Sequence, residues 1–252
     1  MRLYESILQG ALSTLECKVE DIVLGWRGSY VSLADGRWGV GATPRAEDES
    51  LSSREDHTRT ILSSTSHGLA RLVVSPYPQE FAAATAALCA LLPAEGEGAP
   101  LDSLISAMSG EEVFLVAPAP GAVDFLTDCG LDVSIFDDSR RGRRVRPLWS
   151  TQQHLRRSGW LWINADALRD RAILALAPSF KGMRGVVLQG PGIPFLPTVL
   201  GELGVTCIVA PRAEASSRPE VRRYVAAGGA PWSCPTLAWR VFDLLYTDGE
   251  SR

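Results

Sequence analysis

The sequence is poor in the features that usually announce a chemistry. It holds three histidines, His57, His67 and His154, and five cysteines, Cys17, Cys89, Cys129, Cys207 and Cys234. No CxxC or HxxxH pair occurs, which removes the common local zinc spacings. The cysteines are odd in number, far apart and set among apolar neighbours, the pattern of reduced, mostly buried thiols and not of a disulfide framework. A GxGxxG run is missing. No stretch approaches the roughly 18 to 20 apolar residues of a spanning helix, and Met1-Arg2-Leu3-Tyr4-Glu5-Ser6 is not a basic segment leading into an apolar one. These absences predict a cytoplasmic protein with no membrane partner. Excess positive charge is lacking too. The net charge is −4, so no global electrostatic term favours nucleic acid.

What is present is ordinary globular material: 252 residues, 46% apolar and 21% charged, enough for one large domain or two modest ones with a core that needs no disulfide or structural metal. Apolar residues at helical spacing predict a helix over 2–16. Strands follow at 19–24, 29–33 and 38–43, the last two joined by the Asp35-Gly36 hairpin signal. Residues 45–68 are polar and read as a long surface loop with a short helix. Pro76-Tyr77-Pro78 opens an alanine-rich helix to Leu92, whose small side chains imply close packing. The stretch 93–100, rich in Pro, Gly and Glu, reads as a linker. It divides a domain of residues 1–95 from one of residues 101–252.

Beyond the linker, strands and helices alternate. Helices are expected at 101–108, 122–129, 166–177, 195–203 and 219–227. Strands are expected at 113–116, 132–136, 161–164, 185–189 and 206–210. Such alternation implies a parallel sheet with ligands beyond the carboxyl ends of its strands.

Several residue groups could carry chemistry, and each has a plainer reading. Loop 117–121, with Asp137 and Asp138 further on, stands where a dinucleotide fold holds phosphate and ribose. Its prolines Pro118 and Pro120 remove amides that would cradle a pyrophosphate, and an ordinary strand–helix turn explains it more simply. Gly190-Pro191-Gly192-Ile193-Pro194 lets a ligand approach the backbone closely, with the helix from Phe195 offering its amino end to an anion; a rigid connection chosen for packing is the other reading. Asn164 and Asp166 end a strand, Asp166 as the N-cap of the next helix and Asn164 less readily explained. Trp26 and Arg27 sit on a hairpin, with Thr43 ending the paired strand. They form a wall of a site, or a packing tryptophan beside a solvated arginine. The arginines at 140, 141, 143, 144 and 146 lack interleaved aromatics and read as a solvated loop. Arg212 follows a strand end. Cys234 lies near Trp232 and reads as structural.

With those segments in view, the chain resembles the putative heavy-metal chelation family. The strand–turn–glycine-rich strand of Val19 to Thr43 is similar to the family's amino-terminal signature. Gly190-Pro191-Gly192-Ile193-Pro194, the strand Gly204-Val205-Thr206-Cys207-Ile208-Val209 and Gly228-Gly229 are similar to its carboxyl-terminal ones. Val116-Ala117-Pro118-Ala119-Pro120 and Ile163-Asn164-Ala165-Asp166 depart from the family's pattern, marking a divergent member. The resemblance implies an α/β protein in which a small enolase N-terminal-like α+β domain packs on a Rossmann-like parallel-sheet domain. It also implies a site in the cleft between them that handles a metal ion or a metal-chelating small molecule, and an open cleft that suits a homodimer. On this view the Gly190–Pro194 turn faces Trp26 and Arg27. The alternatives are an enzyme acting on a small amino-acid-derived metabolite, with Asn164, Asp166, Asp137 and Arg27 around its substrate, and a nucleotide-binding interaction module.

Overall fold

The computed structural model describes residues 3–43, 51–119, 121–155, 159–169 and 171–244, with the backbone alone for 51–55. Residues 44–50 and Pro120, expected in loops, lie outside the described residues. The chain forms two compact units. One comprises Met1–Gly96, Pro191–Leu196 and Pro211–Ala238; the other comprises Glu97–Gly190, Pro197–Ala210 and Trp239–Arg252.

The first unit opens with α1 (Leu3–Leu12) and an antiparallel meander of β1 (Val19–Leu24), β2 (Ser29–Leu33) and β3 (Trp38–Gly41). Helices α2 (Leu51–Leu62), α3 (Ser66–Arg71) and α4 (Pro78–Leu91) follow. The polar stretch expected as a loop is therefore largely helical. His57 and Ile61, four residues apart, give α2 a buried stripe that its low apolar content conceals. Every residue of β2 is buried, because both faces of the small sheet are covered. On one face α4 lies so close that a Cβ at Gly39 would fall 2.3 Å from the Ala86 carbonyl oxygen and 2.6 Å from the Ala90 nitrogen. Glycine on the strand and alanine on the helix are what this approach demands. Ser29 Oγ donates to the Ala82 carbonyl at 2.7 Å across the same contact. On the other face Tyr30 and Val40 pack with Val221, Val225, Cys234 and Leu237. The helix Arg218–Ala226 supplies two of these, and its Arg218 Nε donates to Tyr30 Oη at 2.8 Å. Arg218 also pairs with Glu20, and Arg222 with Asp21.

The second unit is built on an eight-stranded sheet. Its elements are β4 (Ala99–Pro100), α5 (Leu101–Met108), β5 (Glu112–Val116), α6 (Ala122–Asp128), β6 (Asp132–Phe136), β7 (Val145–Arg146), α7 (Thr151–His154) and β8 (Trp160–Asn164), then α8 (Asp166–Arg169), α9 (Ala172–Leu176), β9 (Gly185–Gln189), α10 (Pro197–Leu203), β10 (Cys207–Arg212) and β11 (Ala238–Asp243). The strand order is β4-β11-β10-β9-β8-β5-β6-β7. The run from β10 to β7 is parallel throughout, and β4 pairs antiparallel with β11 at one edge. Val113, Leu115, Trp162, Val187 and Val209 on one face pack with Leu104 and Met108 of α5 and Leu126 of α6.

Two helix expectations in this unit are corrected. The single helix expected over 166–177 breaks at Arg171, whose φ of 57° is left-handed. The helix expected from Phe195 begins at Pro197, since a residue preceding proline is held away from the helical region. The chain leaves β5 towards β6 and β7 on one side and returns to β8 on the other. The crevice beyond the carboxyl ends of β5 and β8 is thus the sheet's switch point, where ligands of open α/β sheets sit. Among the described residues no helix is long and apolar enough to cross a membrane.

Candidate functional site

Beside the switch point the ends of β8 and β9 are drawn together. Asn164 and Gln189 are in register. The Ala165 amide donates to the Gln189 carbonyl at 2.8 Å, and the Gly190 amide donates to the Val209 carbonyl at 3.0 Å. Gly190 has φ 148°, and a Cβ there would lie 2.7 Å from Ala165 Cβ. Asn164 Oδ1 accepts from the Asp166 amide at 3.2 Å, an Asx turn that starts α8. The N-cap role expected of Asp166 is therefore corrected. Asp166 is already helical and lies 3.6 Å from Arg169, while Asn164 supplies the capping oxygen.

Gln189 is the group that sequence reading missed. It is 7% exposed, and its Oε1 is buried with no hydrogen-bond donor among the described residues. A buried acceptor left unpaired costs roughly 1–3 kcal/mol. Trp162, 2% exposed, likewise has a buried indole N–H with no acceptor. Because Trp162 is in register with Val187, and alternate residues of a strand share a face, Trp162 and Gln189 lie on one face of the sheet. The Trp160 indole N–H, two residues before Trp162 on the same face, is also buried without an acceptor among the described residues, so two indole donors and the Gln189 acceptor, all uncharged, share that face. The only signal in the sequence was a glutamine closing the otherwise apolar strand Gly185-Val186-Val187-Leu188-Gln189. On the other side of the crevice, Ala117 follows β5 with φ 45°, a left-handed conformation rare for a residue with a Cβ.

The other expected site residues are placed as follows. Asp137 is buried, and its own loop occupies its carboxylate. Oδ1 accepts from the Ser139 amide (2.8 Å) and Ser139 Oγ (2.6 Å), and Oδ2 from Arg140 Nε (3.1 Å). Asp137 follows β6, two strands from β8 and its Asn164. Much of the arginine cluster is engaged locally: Arg140 on Asp137, Arg141 on the carbonyls of Asp138 and Arg140, and Arg144 on Asp132.

In the first unit, Pro191 through Pro194 are buried. A Cβ at Gly192, where φ is 84°, would lie 3.1 Å from Thr85 Cβ and 3.4 Å from Gly41 Cα, which puts this part of the turn against β3 and α4. Cys89 Sγ donates to the Ile193 carbonyl at 3.3 Å. Thr43, just past β3, has a buried hydroxyl without a partner among the described residues. Trp26, 79% exposed, and Arg27 stand at a hairpin tip closed by Gly25 donating to the Gly28 carbonyl at 2.8 Å. Against that hairpin lie Val225, Gly228 and Pro231. Arg212 donates to the Gly96 carbonyl at 2.6 Å.

Of the thiols expected to be mostly buried, Cys207 and Cys234 are, whereas Cys17 and Cys89 are half-buried and Cys129 is exposed. Burial pushes both Cys89 and Cys207 up to about 12, with the Asp243 charge adding to the effect at Cys207. Cys234 sits in the apolar cluster with its sulfur 3.2 Å from Thr236 Oγ1, as expected of a structural residue. Among the described residues no three His, Cys, Asp or Glu side chains gather in a way that could hold a metal ion.

Fold and site together define a mixed α/β protein with a parallel-rich sheet whose switch point presents neutral polar groups. The family model DUF364, described as "Putative heavy-metal chelation", matches residues 99–240, more than half of the chain, and the chain belongs to that family. Two solved structures share the fold. One is a protein of unknown function of the DUF364 family from Desulfitobacterium hafniense DCB-2, 18% identical, with TM-score 0.76 over 96% of this chain and 98% of that one. The other is a DUF364 protein of unknown function from Pyrococcus horikoshii, 14% identical, with TM-score 0.71 over 96% and 98%. No curated protein matches the sequence.

Proposed function

We propose that the protein binds an organic metal chelator, free or metal-loaded, at the switch point of its parallel sheet, in the handling of metal ions or metallophores. The carrying observation is the buried, unpaired Gln189 carboxamide oxygen beside Asn164 and Gly190. Such an acceptor is completed by a donor on a bound molecule. The family description supplies the link to metals. The groups near the switch point favour the chelate over the bare ion. Soft and borderline metals want thiolates or imidazoles close together, and hard ones want several carboxylates. Here the nearest groups are two amides, an indole and the half-buried Asp166. On this reading the chelator, and not the protein, provides most of the coordination sphere.

Equilibrium dialysis with metal analysis tests the proposal. The purified protein is dialysed against Fe(III), Ni(II) and Zn(II), each alone and each with a hydroxamate or aminocarboxylate chelator. Retention of chelator or chelate at micromolar concentration, lost in Gln189→Leu, is the expected result. Retention of neither sinks the proposal. A thermal-shift screen with nucleotides and S-adenosylmethionine separates it from the enzyme and nucleotide-module readings, which predict stabilisation by those compounds instead.

A further inference from the structure

We propose a separate metal-anchoring site in the first unit: the single imidazole of His57, which takes an open coordination position on a borderline divalent metal whose other positions are filled by water or a small chelator. It rests on a different set of residues from the switch point and does not need that reading to hold.

The site is a buried chain of hydrogen bonds between α2 and the start of α4. His57, 9% exposed, places Nδ1 at 2.8 Å from Glu80 Oε1, and Glu80 is itself 7% exposed. Glu80 Oε2 accepts from Ser75 Oγ at 2.5 Å, and Ser75 Oγ accepts from the Tyr77 amide at 3.1 Å. That last bond leaves the Ser75 hydroxyl proton for Glu80. Both carboxylate oxygens thus have donors, provided His57 carries its proton on Nδ1. The lone pair of the neutral ring is then on Nε2. His57 Nε2 is buried and has no partner among the described residues. The Tyr77 ring, tilted 41° with its centroid 3.9 Å from that of His57, fixes the plane of the imidazole.

This is the arrangement expected of a metal-ligating histidine, whose second ring nitrogen donates to a carboxylate that sets its tautomer and raises its basicity. The other two histidines lack the carboxylate hydrogen bond, although His67 Nε2 is likewise buried without a partner among the described residues. His67 Nδ1 stands 3.9 Å from Glu16 Oε1, beyond hydrogen-bond range, and His154 Nδ1 is 2.9 Å from the Ser150 carbonyl oxygen. Tyr77, whose ring lies against the imidazole, is itself 45% exposed, and a metal reaches Nε2, in the ring plane, only when the side chains around that edge shift. An imidazole selects Zn, Cu or Ni over Mg or Ca. One imidazole is a weak site for a bare ion. Its use is to complete a metal already partly coordinated, which agrees with the absence of any three-ligand cluster among the described residues.

The test uses the full chain and Cu(II)–iminodiacetate, a tridentate chelate that leaves a position open. Electron paramagnetic resonance reads the number of bound nitrogens, and dialysis reads the affinity. The expected result is one equivalent bound through one imidazole nitrogen, lost in His57→Gln and unchanged in His67→Gln and His154→Gln. Glu80→Gln keeps an acceptor for Nδ1 and is expected to weaken binding about tenfold; it serves where His57→Gln does not fold. Binding that survives His57→Gln, binding lost in His154→Gln, or no binding at micromolar concentration overturns the site. Retention abolished by Gln189→Leu but intact in His57→Gln overturns it while leaving the switch-point reading standing.

Discussion

The two units cover their sheets by opposite means. In the first, the backbone of α4 lies almost on the backbone of β3, and side chains are reduced to glycine, alanine and serine to allow it. In the second, the sheet is coated with large apolar and aromatic groups, Trp162, Leu115, Val187 and Met108 among them. Across the first contact Ser29 bonds to the Ala82 carbonyl, although Thr43 Oγ1 and Gln79 Oε1 in that unit are buried without partners among the described residues. The second leaves the indole N–H groups of Trp160 and Trp162 and the Gln189 carboxamide oxygen buried without partners among the described residues. Close backbone packing leaves no room for added volume, whereas the second sheet is packed through its side chains.

The hardest way to break this contrast is to add volume where the backbones meet. Gly39→Val is expected to destabilise the first unit by more than about 3 kcal/mol, because the groups in its path are the main chain of Ala86 and Ala90 and cannot rotate away. A denaturant midpoint followed by Trp38 fluorescence, with the other tryptophans as a global reference, measures the loss. Wild-type stability in this variant would show that α4 can lift off the sheet. Gly190→Ala is expected to cost less, about 2 kcal/mol, since its main obstacle is the Ala165 methyl together with the left-handed φ. It should also abolish chelator retention, because it forces apart the ends of β8 and β9.

A third test treats both units alike. Cys89 lies in the first unit and Cys207 in the second, and burial lifts each thiol to about 12, above the ordinary value of 9.0. A raised folded value means that the stabilising effect is complete below the unfolded value. It is lost as pH rises from about 9 towards 12, where the unfolded chain ionises and the folded one does not. The melting temperature should therefore fall between pH 8 and pH 10.5. Cys89→Ala and Cys207→Ala should each flatten that fall. A slope identical in both variants would mean that other groups set the alkaline limit.

The sequence revealed the elements whose signals are local. The strands at 19–24, 29–33, 132–136 and 185–189 and the helix at 101–108 stand where period and turn residues put them. The pairing of β4 with β11 was hidden, because a two-residue strand in a linker has no period and its partner lies far along the chain. Arg171 gave no warning of a helix break, since arginine is a good helix former and rarely takes the left-handed φ found there. The candidate site was half legible. Asn164, Asp166 and Gly190 follow from strand ends, which a sequence marks. Gln189 and the His57–Glu80 pair do not, because whether a polar atom is paired is decided by residues distant in sequence.

The smallest expected change is the most discriminating. Gln189→Leu removes the unpaired carboxamide and fills its volume with apolar atoms. Where a buried polar group has its partner, such a change is destabilising; where it has none, the change is neutral or stabilising, here by up to about 1 kcal/mol. The unliganded protein should therefore melt at the same temperature or slightly higher. Any stabilisation that a chelator confers on the wild type should vanish in the variant. That opposition of signs, stability kept and binding lost, is what a residue retained for a ligand shows and a packing residue does not. A variant that melts several degrees lower without ligand would place Gln189 among the ordinary structural groups of the second unit, and the contrast between the two sheets would then reduce to one of side-chain size.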